Sequence, residues 1–159
     1  MNYAFTKGKI LDGTKDMQVQ TGLCILVQDG TITDIVPDTA DLSGYETIDL
    51  QGRYIMPGLI NMHVHLAGNG KPQKKQRDNE KLVKKIMRSS LTRAVAYKMV
   101  SDFAKDELLS GVTTIRTVGG LGSFDTRLRD EIAAGTKVGP RILAANEGIS
   151  VPGGHMAGS

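Results

Sequence analysis

Ile60-Asn61-Met62-His63-Val64-His65-Leu66, entered directly from Met56-Pro57-Gly58, is the stretch that decides how the rest of the chain reads. A Pro-Gly pair interrupts regular structure and marks the start of a new element. The residues after it are short, mostly apolar and rich in β-formers, which predicts a strand over Leu59 to Leu66. In a strand the side chains at i and i+2 share a face. His63 and His65 are therefore expected to project together, with Met62 and Val64 turned to the opposite, packed side. Two convergent imidazoles on a rigid strand make half of a transition-metal site, because imidazole suits zinc, iron and nickel. The same spacing also fits two partly buried, hydrogen-bonded structural histidines, so the flanking sequence has to decide.

Upstream, Leu23 to Gln28 and Thr31 to Val36 flank Asp29-Gly30, a hairpin signal because both turn positions favour positive φ. An earlier turn falls at Asp12-Gly13, and a further strand near Tyr45 to Leu50 leads to Gly52. Residues 1–56 thus read as a small β-domain. Downstream the pattern alternates strand and helix. Leu82 to Leu109 carries apolar residues at helical spacing, with Val83, Met87, Leu91, Val95, Met99 and Phe103 forming one stripe. Ala96, Val100, Ala104 and Leu108 run beside that stripe. Gly111 is placed to cap this helix. Val112 to Val118 is a β-branched strand, Thr126 to Ala134 a short helix, and Arg141 to Ala145 a third strand. Strand–helix units in series predict a parallel sheet with right-handed crossovers.

Composition narrows the function classes. Of the 159 residues, 40% are apolar and 23% charged, the balance of a globular protein with a core of its own. No window approaches the run of about 18 apolar residues that a membrane span needs. No secretory leader is expected, since the first residues do not run from a basic segment into an apolar one. The single cysteine, Cys24, excludes an intramolecular disulfide and a cysteine-rich metal site, and it lies in an apolar strand pattern that fits a core residue. A cytoplasmic setting is the expectation. The net charge of +3 arises locally, from Lys71, Lys74, Lys75, Arg77, Lys81, Lys84, Lys85 and Arg88. Asp78 and Glu80 interrupt that run and no aromatic side chain offers a stacking platform, so a solvated surface is expected rather than a nucleic-acid interface.

The longer run Ile48-Asp49-Leu50-Gln51-Gly52-Arg53-Tyr54-Ile55-Met56-Pro57-Gly58-Leu59-Ile60-Asn61-Met62-His63-Val64-His65-Leu66 resembles the entry into the first barrel strand of the amidohydrolase superfamily. These are metal-dependent hydrolases of the urease and dihydroorotase type. Gly111-Val112-Thr113-Thr114-Ile115-Arg116-Thr117-Val118-Gly119-Gly120 resembles the second strand of its imidazolonepropionase-like and prolidase-like members, with Thr117 where an aspartate is usual. Val138-Gly139-Pro140-Arg141-Ile142-Leu143, followed by Val151-Pro152-Gly153-Gly154-His155, is similar to their third strand and the loop after it.

The resemblance implies an α/β fold: the start of a β/α, TIM-like barrel over residues 57–159, preceded by a small, incomplete β-sandwich domain over residues 1–56. It implies that His63 and His65 bind a divalent metal, zinc being the expected ion, with one or two ions in a complete site. His155 is implied as a catalytic residue that polarises a carbonyl or holds substrate. The implied substrate is a small molecule, namely a dipeptide, an N-acyl amino acid or a cyclic amide, cleaved at its C–N bond by a metal-activated water. Because a barrel needs eight strands, the chain reads as the opening part of such an enzyme, inactive by itself and completed by a homo-oligomer or a complementary remainder. The other reading is a non-catalytic fragment or interaction module that keeps the fold's opening segment.

Overall fold

The computed structural model describes residues 1–68, 79–149 and 151 of the chain. They form a mixed α/β structure divided into two compact units, Met1–Pro57 and Gly58–Ser159.

The first unit is all β. Strands β1 (Asn2–Thr6), β3 (Leu23–Gln28), β4 (Thr31–Pro37) and β5 (Glu46–Asp49) make one sheet in the order β4-β3-β1-β5. β2 (Lys9–Ile10) and β6 (Tyr54–Ile55) pair in parallel as a second, two-stranded sheet. The expected hairpin is present: Gln28 faces Thr31, and Asp29 and Gly30 have φ of 48° and 79°. Ala4, Cys24, Ile25 and Leu26 are buried in this unit. Burial raises the Cys24 thiol above its ordinary pKa, which suits a core residue and not a reactive thiolate.

In the second unit, β7 (Leu59–Val64), β8 (Val112–Thr117) and β9 (Arg141–Leu143) form a parallel sheet in the order β7-β8-β9. Helices α1 (Asn79–Met87) and α2 (Ser90–Leu109) connect β7 to β8, and α3 (Phe124–Ala133) connects β8 to β9. The Pro57-Gly58 entry has a steric reason for its glycine. A β-carbon on Gly58 would stand 2.1 Å from Thr113 Oγ1, so only glycine lets this backbone approach β8.

The single long helix expected over Leu82 to Leu109 is two helices. Ser89 leaves the helical region, with φ −124° and ψ 152°, and its Oγ accepts the Thr92 N–H at 3.2 Å. Serine competes for backbone hydrogen bonds and is a strong N-cap, so Ser89 ends one helix and starts the next. The two apolar rows are buried unequally, and of the first row Val83, Met87 and Phe103 pack partly buried against the core. Leu91, Val95 and Met99 are exposed, whereas Ala96, Tyr97, Val100, Ser101 and Ala104 are buried. Small side chains at i, i+4 and i+8 let α2 lie close against the sheet, which apolar periodicity alone does not reveal. The third helix begins at Phe124, two residues earlier than expected.

The core joins Val64 and Leu66 from the β7 end, Ile115 and Ile142 from β8 and β9, and Ala96, Tyr97, Val100 and Ala104 from α2. Leu121, Phe124 and Leu128 close it from the α3 side. Tyr97 stacks edge-on against Phe124 with ring centroids 5.3 Å apart and donates its hydroxyl to Glu131 at 2.7 Å. The Arg127 guanidinium covers the same ring at 4.0 Å. Of the basic run, Lys71, Lys74, Lys75 and Arg77 lie outside the described residues, while Lys81, Lys84, Lys85 and Arg88 are exposed. Among the described residues no helix is long and apolar enough to cross a membrane.

Two valines of α2 test which face is the core. Val100 is 1% exposed and Val95 is 64% exposed. In the 159-residue chain, Val100→Ala is expected to lower stability by roughly 1–3 kcal/mol and Val95→Ala by less than about 0.5 kcal/mol. Urea unfolding of both variants decides the matter, and the reverse order would place the core on the Val95 row instead.

Candidate metal centre

His63 lies near the end of β7 and His65 immediately beyond it. The pairing of β7 with β8 slips between Asn61 and Val64, and the His63 N–H donates to the Asn61 side-chain oxygen at 3.2 Å instead of joining a regular ladder. The two imidazoles come together, with ring centroids 5.2 Å apart and planes at 70°. Both residues are exposed.

The two rings are held differently. His65 Nδ1 stands 3.1 Å from the Gly119 carbonyl oxygen. A carbonyl can only accept, so in the neutral ring Nδ1 carries the proton and donates it. The Nε2 lone pair of His65 is thereby left for a ligand, the usual arrangement in which a backbone carbonyl orients a metal-binding imidazole.

Beneath this pair, the ends of β8 and β9 are knitted to the first turn of α3. Thr117 is fully buried, and its Oγ1 accepts the Ala145 N–H at 3.0 Å. The Gly120 N–H donates to the Asn146 carbonyl at 2.7 Å, and the Thr126 N–H donates to Asn146 Oδ1 at 3.1 Å. Asp125 is 1% exposed, and its Oδ2 has no hydrogen-bond partner among the described residues. Burial raises the Asp125 carboxyl above its ordinary pKa, opposed by the Thr117 hydroxyl, the His65 imidazole and the Asn146 backbone amide, each of which favours the charged form. A β-carbon on Gly120 would lie 2.6 Å from Asp125 Oδ2 and 2.7 Å from Oδ1, so the carboxylate is packed directly against a position that only glycine can fill.

His155, with Pro152, Gly153 and Gly154 of its motif, lies outside the described residues. Among the described residues no group of three or more His, Cys, Asp or Glu side chains is placed to hold an ion. The sequence reading left Thr117 without a role and passed over Asp125 and Asn146. Asp125 had one signal, an acid in the first turn of a helix following Gly119-Gly120. Asn146 had none, because its use depends on a positive φ of 59° that only the folded loop shows.

Comparison with known proteins adds the family. The family model described as "Amidohydrolase family" matches residues 54–155, which span all three parallel strands and the histidine pair. The chain belongs to the amidohydrolase family. This amidohydrolase chain is 37% identical over 70 residues to a dihydroorotase of Trichlorobacter lovleyi, covering 44% of the chain and 16% of that protein. It is 34% identical over 113 residues to an imidazolonepropionase of Salmonella paratyphi A, covering 62% of the chain and 28% of that protein. Among solved structures it is similar to a putative prolidase from Bifidobacterium longum, with a TM-score of 0.73 and 33% identity over 98% of the chain. The chain spans 33% of that prolidase, and a smaller share of the two curated relatives.

Gly120 provides the test of the loop beneath the histidines. Gly120→Ala forces its methyl into the buried Asp125 carboxylate and is expected to cost roughly 1–3 kcal/mol, the usual penalty of overpacking. Thermal or chemical unfolding measures it. A change within about 0.5 kcal/mol would mean that this packing is loose.

Proposed function

We propose that this amidohydrolase chain forms the opening part of a metal-dependent hydrolase that cleaves C–N bonds in small amides or peptides: a dipeptide, an N-acyl amino acid or a cyclic amide. The observation that carries the reading is the convergent His63–His65 pair at the carboxyl end of a strand in a parallel sheet, with His65 Nε2 left available. In β/α barrels the active site lies at that end of the strands. β7, β8 and β9 then stand as the first three strands of a barrel over residues 57–159. Residues 1–56 form the N-terminal part of a small β-sandwich. The hydrolases named among the similar proteins support the same bond type.

The residues fit a divalent ion in part. His63 and His65 supply two nitrogen donors, whereas a catalytic zinc site takes three protein ligands and a water. Further ligands must therefore come from outside the described residues, and the described part of the chain does not complete a catalytic site. When bound, one or two divalent ions, zinc being the expected one, acidify a coordinated water and polarise the scissile carbonyl. The chain's own contribution is to hold the two imidazoles at a fixed angle and, through the Gly119 carbonyl, to keep the His65 proton on Nδ1. His155 is assigned to hydrogen-bond the carbonyl oxygen as negative charge develops there.

The test uses the whole protein. Chelation should abolish hydrolysis of a panel of dipeptides, N-acyl amino acids and cyclic amides, and Zn²⁺ or Co²⁺ should restore it. His63→Ala and His65→Ala should each weaken metal binding by at least about tenfold. Hydrolysis that survives exhaustive chelation, or unchanged metal content in the double variant, would contradict the proposal.

A further inference from the structure

Asp125 is hard to account for as a packing residue. Its carboxylate is buried, and one oxygen has no partner among the described residues, an arrangement that ordinarily costs stability. A leucine or alanine would fill the space between α3 and the strand ends without that cost. Its surroundings indicate what the carboxylate does. Thr117 Oγ1 already accepts the Ala145 N–H, so its own hydroxyl proton is free to be donated, and the hydroxyl is one of the groups that favour the charged form of the Asp125 carboxyl. The Asn146 backbone amide also favours the charged carboxylate, while the Asn146 carbonyl and side chain hold Gly120 and Thr126. Gly120 rests directly on the carboxylate, and the residue before it, Gly119, offers the carbonyl that takes the His65 Nδ1–H. His65 also carries the nearby imidazole whose positive form the carboxylate attracts.

We propose that Asp125 is the positioning residue of the histidine pair: its buried carboxylate ties the ends of β8 and β9 to α3, sets the Gly119–Gly120 turn beside it, and so fixes the ring of His65. The inference rests on the reading of His65 as a metal ligand, and it concerns the ring's orientation rather than any contact of Asp125 with an ion or substrate. Thr117 and Asn146 belong to the same device as the groups that hold the carboxylate from the two strand ends. Helix α3 also contributes, since an acid in its first turn is favoured by the positive end of the helix dipole.

Two readouts on the whole protein test it. The first is the tautomer of His65 in the metal-free protein, read from imidazole ¹⁵N shifts at mildly alkaline pH, where histidines are neutral. The second is Co²⁺ affinity by competition with a chelator. The wild type should show one tautomer, protonated at Nδ1. Asp125→Asn, close in shape but uncharged, should give a mixture of tautomers and lower Co²⁺ affinity about tenfold or more, the range for partners that orient a ligand. Thr117→Val, which removes a donor to the carboxylate while leaving α3 unchanged, should move both readouts the same way by a smaller factor. Leu128→Ala serves as the control for lost stability: Leu128 is fully buried in the same helix, and its truncation should leave the tautomer single.

The proposal is overturned if folded Asp125→Asn keeps the single Nδ1–H tautomer with Co²⁺ affinity within about twofold of wild type. It is equally overturned if Leu128→Ala scrambles the tautomer as much as Asp125→Asn does. Because the tautomer is read without metal, a wild type that binds no Co²⁺ would count against the metal-site reading alone.

Discussion

The parallel pairing of β7 with β8 sets where everything in the second unit stands. Leu59 N–H reaches the Gly111 carbonyl at one end and Val118 N–H reaches the Val64 carbonyl at the other, so the register is pinned at both ends although it shifts between Leu59 and Ile60 and again between Asn61 and Val64. Val64 consequently lies beside Thr117, and the residue beyond it, His65, comes level with the Gly119 carbonyl. A shift of one residue would turn the histidines to the other face of the sheet and leave that carbonyl without a ring to hold. The close approach at Gly58 and Thr113 enforces the same register sterically at the strand's start. Position and chemistry of the histidine pair are thus consequences of one ladder.

What was legible in the sequence follows from the range of the interaction concerned. The Asp29-Gly30 hairpin and the strands at Leu59 and Val112 rest on short-range rules, namely turn chemistry and β-branched runs, and the structure holds each of them. The i, i+2 spacing of His63 and His65 likewise needs only strand geometry, but of the two residues expected on the packed side Val64 is buried and Met62 is exposed. Which of the two neighbouring apolar rows of α2 becomes core is not legible in periodicity, because both recur at helical spacing. Yet contact with the sheet selected Ala96, Val100 and Ala104 for their small size. The break at Ser89 was hidden for the opposite reason: one cap outweighs an uninterrupted apolar pattern, and only the backbone shows it.

The candidate site divides in the same way. Its two imidazoles stand in one short motif, while the groups that steady them are spread over positions 117, 119, 120, 125 and 146. Thr117, Asp125 and Asn146 are unremarkable in sequence and acquire meaning only where three strand ends converge. Thr117 and Asp125 are polar and nearly or fully buried, at some cost in stability, which is the common condition of groups retained for geometry rather than for packing. The Tyr97–Glu131–Arg127 cluster on the other side of α3 differs in kind. All three side chains there are satisfied by one another, and it joins α2 to α3 without addressing the site.

The account depends most on His63 and His65 acting as two donors to a single ion. A crystal structure or X-ray absorption spectrum of the zinc-loaded whole protein measures this directly. The account predicts both rings on one zinc ion at about 2.0–2.1 Å, with His65 bound through Nε2 while its Nδ1 stays on the Gly119 carbonyl. Zinc bound without either histidine, or held by His65 Nδ1 with the Gly119 bond broken, would contradict it.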